Sequence, residues 1–214
     1  MQRPSAAPSE RTAQLPELPE LPDLPDLHPA QSFDAELLLR AQAVRVLFLD
    51  VDGVLTDGGI YIGEQPAAER GAAENLKRFS TLDGHGLKML QSAGITPVVI
   101  TGRDSVPLRA RLGALGITRA HYGTEAKRAA AEQTLTELGL SWSQAAGMGD
   151  DWPDLPVLRR CALACAPAQA HVEVRAIAHH ICSAPAGGGA VRELCDLLLT
   201  AQGVYAQLLA EAAA

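Results

Sequence analysis

Aromatic residues are scarce in this chain. Two Trp, three Tyr and three Phe make up 4% of 214 residues, so any core must be filled by Leu, Val, Ile and Ala; these suffice, because hydrophobic residues together reach 47%. Positive charge is short as well. Eighteen Lys and Arg against 25 Asp and Glu leave a formal charge of −7. That argues against a nucleic-acid binder, whose footprint is basic, while a local positive pocket stays possible. Apolar runs of about 18 residues or more are absent, so no membrane span or membrane partner is expected. The first residues lack the charged start and apolar stretch of a secretory signal. The four cysteines, Cys161, Cys165, Cys182 and Cys195, follow no zinc-site spacing. They sit in apolar stretches and read as reduced core thiols, with the cytoplasm as the expected compartment.

What is present divides into a tail and a body. Leu15 to Leu27 is a three-residue Leu-Pro-acid repeat. Proline at every third position removes backbone donors and favours an extended, polyproline-like chain. Residues 1–33 are therefore expected to be a disordered tail, 34–203 a single domain, and 204–214 a C-terminal tail. The body opens with a short helix expected over Phe33–Ala41. Buried strands are expected at Val44–Leu49, Ile95–Ile100 and Ala145–Met148, with short candidates at Ala162–Cys165 and Ala178–Cys182. Helical patterns lie between them, at about 83–93, 105–114, 125–139, 153–160 and 189–200. Such alternation implies an α/β fold: a parallel, Rossmann-like sheet with helices on both faces. Ligands then bind beyond the carboxyl ends of the strands.

Those strand ends carry chemistry. The first runs into Asp50-Val51-Asp52-Gly53. Two carboxylates two residues apart on extended chain can flank one point, where one attacks and the other moves a proton. The second ends at Thr101-Gly102-Arg103-Asp104, where a hydroxyl and nearby amides at a helix start form an anion site, or Thr101 caps the helix. Lys127 follows, by itself an ordinary surface lysine. Asp150, Asp151 and Asp154 cluster after the weak third strand. Carboxylates so close repel unless a cation neutralises them, and Mg²⁺ suits oxygen ligands and phosphate chemistry; the plainer alternative is a helix start decorated with acids.

The order Asp-x-Asp, Thr, Lys, acidic cluster, each at a strand end, resembles the four motifs of the haloacid-dehalogenase (HAD) superfamily over about residues 44–200. The resemblance implies that Asp50 is the nucleophile and is phosphorylated. It implies that Asp52 is the acid and base and also ligates the metal through its carbonyl. Thr101 and Lys127 would bind phosphoryl oxygens. Asp150 would complete the Mg²⁺ shell with Asp50 and Asp52, supported by Asp151 or Asp154. Room for a lid is lacking: Asp57–Thr101 must hold a helix and a strand, leaving about 58–80 for a β-hairpin with a long loop, and Thr101–Lys127 holds only a helix and a strand.

Further residues narrow the resemblance. They are Asp50–Gly58 with Ile60-Tyr61, the run Phe79–Lys88, Thr101-Gly102-Arg103, and Gly187–Leu198. Together they are similar to the capless family of 3-deoxy-D-manno-octulosonate 8-phosphate phosphatases, tetrameric enzymes of lipopolysaccharide assembly. That similarity implies a sugar-acid phosphate substrate and a homotetramer. The site without a lid separately calls for a neighbouring subunit as its missing wall, with the hairpin as the expected interface. Arg103 then meets the sugar's carboxylate or hydroxyls, since its planar fork suits carboxylate, or is a surface arginine. Asp83 and Gly84 line the same pocket or cap the following helix. Two departures stand out: Gly187-Gly188-Gly189 lacks the basic residue some relatives carry there, and the Pro-rich tail and the loop at about 64–73 fall outside the resemblance. The alternatives are a nine-carbon sugar-acid 9-phosphate phosphatase, a phosphorelay receiver, a phosphosugar mutase, and a silent interaction subunit.

Overall fold

The computed structural model describes residues 28–61 and 76–214. The Leu-Pro-acid repeat and the loop of the expected hairpin lie outside the described residues. The hairpin's described flanks, 58–61 and 76–80, carry neither helix nor strand.

Six strands form one parallel sheet: β1 (Val46–Leu49), β2 (Thr96–Ile100), β3 (Ala120–His121), β4 (Ala145–Met148), β5 (Leu163–Ala166) and β6 (His180–Ile181), in the order β3-β2-β1-β4-β5-β6. The helices are α1 (Ala35–Ala41), α2 (Thr81–Ser92), α3 (Val106–Leu115), α4 (Lys127–Leu138), α5 (Leu155–Leu158), α6 (Val172–Ile177), α7 (Ala190–Ala201) and α8 (Tyr205–Ala213). The expected strands and helices are present within a few residues. The unexpected elements are α6 and α8. The segment expected as a C-terminal tail is the helix α8, whose Tyr205 and Leu208 pack against the main core.

Strand side chains alternate between faces, and the alternation assigns the helices to layers. Leu47 and Leu49 of β1 join Leu87 and Leu90 of α2, Leu108 and Leu112 of α3, and Leu194, Leu197 and Leu198 of α7 on one face. Val46 and Phe48 join Ala131 and Leu135 of α4 and Val157 of α5 on the other. α7 is the anchor of the first layer: Leu194, Leu197 and Leu198 are fully buried. Each such side chain contributes about 1.5–3 kcal/mol of burial free energy, and Leu194→Ala should cost about 2–5 kcal/mol. All four cysteines are free and buried, as their apolar settings foretold. Burial pushes the Cys161 thiol up to about 12, so it stays protonated and unreactive.

The strand order reverses at β1, whose neighbours are β2 on one side and β4 on the other. This is a topological switch point, where the connecting helices diverge to opposite faces and leave a crevice at the carboxyl ends. Asp50 and Asp150 leave β1 and β4 at that crevice.

Candidate active site

β1 and β4 pair in register, Leu49 opposite Met148, and the Asp50 amide still donates to the Met148 carbonyl at 3.2 Å. The next residues on each chain therefore emerge side by side. Two glycines permit the closeness. A Cβ on Gly53, at φ +88°, would lie 2.1 Å from an Asp150 carboxylate oxygen, and one on Gly149 would lie 2.3 Å from Asp154 Cβ. Only a residue without a side chain fits either place.

Lys127, the first residue of α4, lies beneath this acid cluster, 6% exposed. Its Nζ donates to Asp50 Oδ1 and to Asp154 Oδ1, each at 2.7 Å. The other Asp154 oxygen accepts from the amides of Asp150 and Asp151, at 3.0 and 3.4 Å. Asp154 thus ties the lysine to the turn that carries Asp150. Burial works against the lysine's charge, but Asp154 and Asp50 outweigh it and hold Lys127 above the usual lysine range.

One lysine does not neutralise three acids. Burial, then the charge of Asp154, pushes the Asp50 carboxyl up to about 6, with Lys127 pulling the other way. Burial, then Asp50, Asp154 and Asp151, pushes Asp150 up to about 7. Ligand oxygens of Asp50, Asp150 and Asp154 lie within 4.8 Å of one another. An excess of hard carboxylate oxygens converging on one point is the donor set a divalent cation such as Mg²⁺ takes, so these residues fit one.

The same carboxylates line a cleft of about 320 Å³ together with Asp52, Thr101, Gly102, Arg103 and Glu125. Thr101 is buried, and its Oγ1 accepts from the Arg103 amide at 3.2 Å, leaving its own proton for a ligand. Asp52 is partly exposed; Lys77 Nζ donates to its Oδ1, and Arg103 Nε lies 3.8 Å from its Oδ2. The structure therefore gathers Asp50, Asp52, Thr101, Gly102, Arg103, Lys127 and Asp150 in one place. It does not bring Asp83 and Gly84 to the cleft walls. Ser80 is the cap of α2, so Asp83 falls in the first turn and points at α7, where its Oδ1 accepts from the Arg192 amide at 2.9 Å. Gly84 lies against α3, with no room for a Cβ beside the Arg111 guanidinium. The sequence reading passed over Lys77 and Glu125. Glu125 stands two residues before Lys127, which was its available signal, whereas nothing local distinguishes Lys77.

A parallel sheet with this strand order, carrying an aspartate pair at its switch point opposite threonine, lysine and further acids, defines a HAD-type α/β fold with the cleft of a phosphotransfer enzyme. No family model matches the chain. It is 40% identical over 167 residues to the 3-deoxy-D-manno-octulosonate 8-phosphate phosphatase KdsC of Yersinia pestis, covering 78% of this chain and 86% of that protein. Among solved structures it is similar to the 3-deoxy-D-manno-octulosonate 8-phosphate phosphatase of Moraxella catarrhalis in complex with magnesium, phosphate and KDO. That match has a TM-score of 0.77 and 33% identity, covering 82% of this chain and 97% of the other. The cobalt-bound enzyme of Haemophilus influenzae matches with a TM-score of 0.71 and 37% identity, covering 78% and 93%. The chain belongs to the 3-deoxy-D-manno-octulosonate 8-phosphate phosphatase family.

Proposed function

We infer that this chain hydrolyses 3-deoxy-D-manno-octulosonate 8-phosphate to the free sugar acid and inorganic phosphate, with Asp50 as the phosphorylated residue. The observation that carries the reading is the meeting of Asp50, Asp52, Thr101, Lys127 and Asp150 at one cleft. The names of the family members supply the substrate.

Asp50 attacks phosphorus, and the bond to the sugar's terminal oxygen breaks. Asp52, entering protonated, gives its proton to that oxygen. It then removes a proton from water, which attacks the aspartyl phosphate and returns Asp50 to its starting form. Lys127 is already hydrogen-bonded to Asp50, so it holds the attacking carboxylate in place and balances charge that builds on the phosphoryl group. Thr101 directs its hydroxyl to a phosphoryl oxygen, and Arg103 at the mouth meets the sugar acid. Asp50, Asp150 and the Asp52 carbonyl would hold Mg²⁺, which draws charge from the phosphoryl oxygens when bound.

The assembly is proposed on a separate basis. Between Asp50 and Thr101 the described residues hold one helix and one strand, supporting a site without a cap. Ile60, Tyr61, Leu76 and Leu82, which bracket the insertion in sequence, are exposed. Apolar residues gathered on one surface mark contact sites, so these four support self-association there, and the tetramer follows the family resemblance. Among the described residues no helix is long and apolar enough to cross a membrane. The reduced thiols support the cytoplasm as its compartment.

The test is phosphate release with Mg²⁺ from the octulosonate 8-phosphate and from nine-carbon 9-phosphates, with Asp50→Asn as control. Preference for the eight-carbon ester and loss of turnover in Asp50→Asn are expected. Turnover of nine-carbon esters alone, or an active Asp50→Asn protein, overturns the reading.

A further inference from the structure

We propose that Lys77 is a positioning residue for Asp52, supplied to the catalytic loop by the insertion that follows it. The inference rests on the reading of Asp52 as the acid and base.

Lys77 Nζ donates to Asp52 Oδ1, and its side chain is 2% exposed although Asp52 itself is 29% exposed. The residue is not part of the cleft wall, which Asp52 and Arg103 share. Its ammonium meets the carboxylate from a buried position. Burying an ammonium is unfavourable unless it is paired, and ordering a long side chain sacrifices rotamer freedom. An ordinary surface lysine would stay in water. The neighbouring residue repeats the connection: Arg78 Nη1 lies 3.3 Å from Asp57 Oδ2. Two successive basic residues of one segment thus grip two acids of the catalytic loop.

The chemistry explains why Asp52 needs such a hold. Its carboxylate serves the leaving oxygen first and the incoming water second, from a turn that lies beyond Asp50, the last residue of this run whose amide donates to a strand carbonyl. With Oδ1 fixed by Lys77, Oδ2 is left on the Arg103 side, 3.8 Å from Nε. The tether sets which oxygen handles the proton and where it sits. Misplacement of such a group by about 1 Å is enough to lose about a hundredfold in rate.

The experiment compares wild type, Lys77→Met, Asp52→Asn and the double variant. Single-turnover rates are measured on the sugar-acid 8-phosphate and on p-nitrophenyl phosphate, whose leaving group departs without a proton. On the sugar ester, Lys77→Met should slow phosphoryl transfer about 10- to 100-fold, a share of the roughly 10²–10⁴ that a general acid supplies, with KM within about threefold. On p-nitrophenyl phosphate the loss should stay within about threefold, and in the Asp52→Asn background the added change should lose less than about twofold. Lys77→Gln, which keeps a polar head, guards against a folding effect of methionine, and thermal melting checks both. Equal losses on the two esters, a raised KM with intact kcat, or losses that multiply in the double variant overturn the proposal. A wild type inactive on the sugar ester overturns the substrate reading instead. An active wild type with an equally active Lys77→Met overturns only the role of Lys77.

Discussion

Metal-free protein should become less stable as pH rises from about 4.5 to 8, the reverse of what salt-bridged carboxylates produce. Asp50 is pushed from an ordinary 3.8 up to about 6, and Asp150 from 3.8 up to about 7, burial being the larger cause in both. An acid whose folded value is raised holds its proton in the native state after the unfolded chain has released it. The native state therefore binds more protons throughout the window between 3.8 and about 6 or 7, and stability falls as pH rises through it. At 1.36 kcal/mol per pH unit, the part of the window above pH 4.5 is worth about 2 kcal/mol for Asp50 and about 3 kcal/mol for Asp150. The two repel each other and Asp150 is partly exposed, so the sum counts shared repulsion; about 3 kcal/mol together is the working figure. For a domain of this size that is a fall in Tm of about 6–12 °C.

Burial raises Glu193 too, but hydrogen bonds from Ser183, Ala184 and His180 outweigh it and hold that carboxyl low, so Glu193 acts in the opposite direction, chiefly below pH 4.5 and outside this window. Asp83 and Asp196, raised by burial, act in the same direction as the site. The assay is thermal unfolding in EDTA and in Mg²⁺ at both pH values. Mg²⁺ at a hundredfold over its Kd adds about 2.7 kcal/mol, and the gain should be larger at pH 8, where protons no longer compete. Asp150→Asn removes one repelling charge, so in EDTA at pH 8 it should melt higher than wild type, by about 1–2 kcal/mol, while losing the Mg²⁺ gain. A metal-free Tm that rises with pH across this window, together with an Asp150→Asn protein no more stable than wild type, would refute the account.

Asp154→Asn should lower stability by about 1–3 kcal/mol and reduce kcat: both carboxylate oxygens accept hydrogen bonds, from Lys127 and from two amides, and an amide cannot accept on both sides. Melting and steady-state kinetics check it, and an unchanged protein would remove Asp154 from its bracing role. Gly53→Ala should cost about 1–2 kcal/mol for the left-handed backbone alone, and its Cβ would displace the Asp150 carboxylate, so Mg²⁺ affinity by calorimetry should fall more than stability does. Glu193→Ala strips the acceptor from Ser183 and Ala184 amides and from His180. A loss of about 2–4 kcal/mol is expected in denaturant melts, and because Gly187 of the same loop donates to the Val54 carbonyl, kcat should drop as well.

The central strands were legible because β1 is a continuous apolar run and β2 becomes one after Thr96, with all or nearly all positions buried, the pattern a doubly covered parallel strand demands. β3 pairs through only two residues and has no apolar pattern of its own. The short helix α6 buries Val174 alone, capped by His171 rather than by a familiar Ser or Asp. The acids, Thr101 and Lys127 could be read because strand ends and chain order locate them before any contact is known. Asp83 was read towards the cleft through the family resemblance of Phe79–Lys88, with a cap of the following helix as the alternative. Which side of α2 faces α7 is settled by packing, and its carboxylate went there. Lys77 carries no local signal at all: its partner lies 25 residues away, and only the path of the chain brings the two together.

The arrangement that suits the site to a cation is also the arrangement that places mutually repelling carboxylates together when no cation is bound. Parallel neighbours lie about 4.8 Å apart. Asp50 leaves β1 beside Gly149 and Asp150 follows one residue on, so the two carboxylates come within reach of one ion, and equally within reach of each other. Lys127 and the turn amides offset part of that repulsion, and the fully buried strands beneath keep the loops from spreading to relieve the rest. Looser strands would let the acids separate, which would raise metal-free stability and lower metal affinity at once. Across substitutions in this cluster, then, the two quantities should move in opposite directions. Variants that gain or lose both together would have to act through the core, not through the charge pattern at the strand ends.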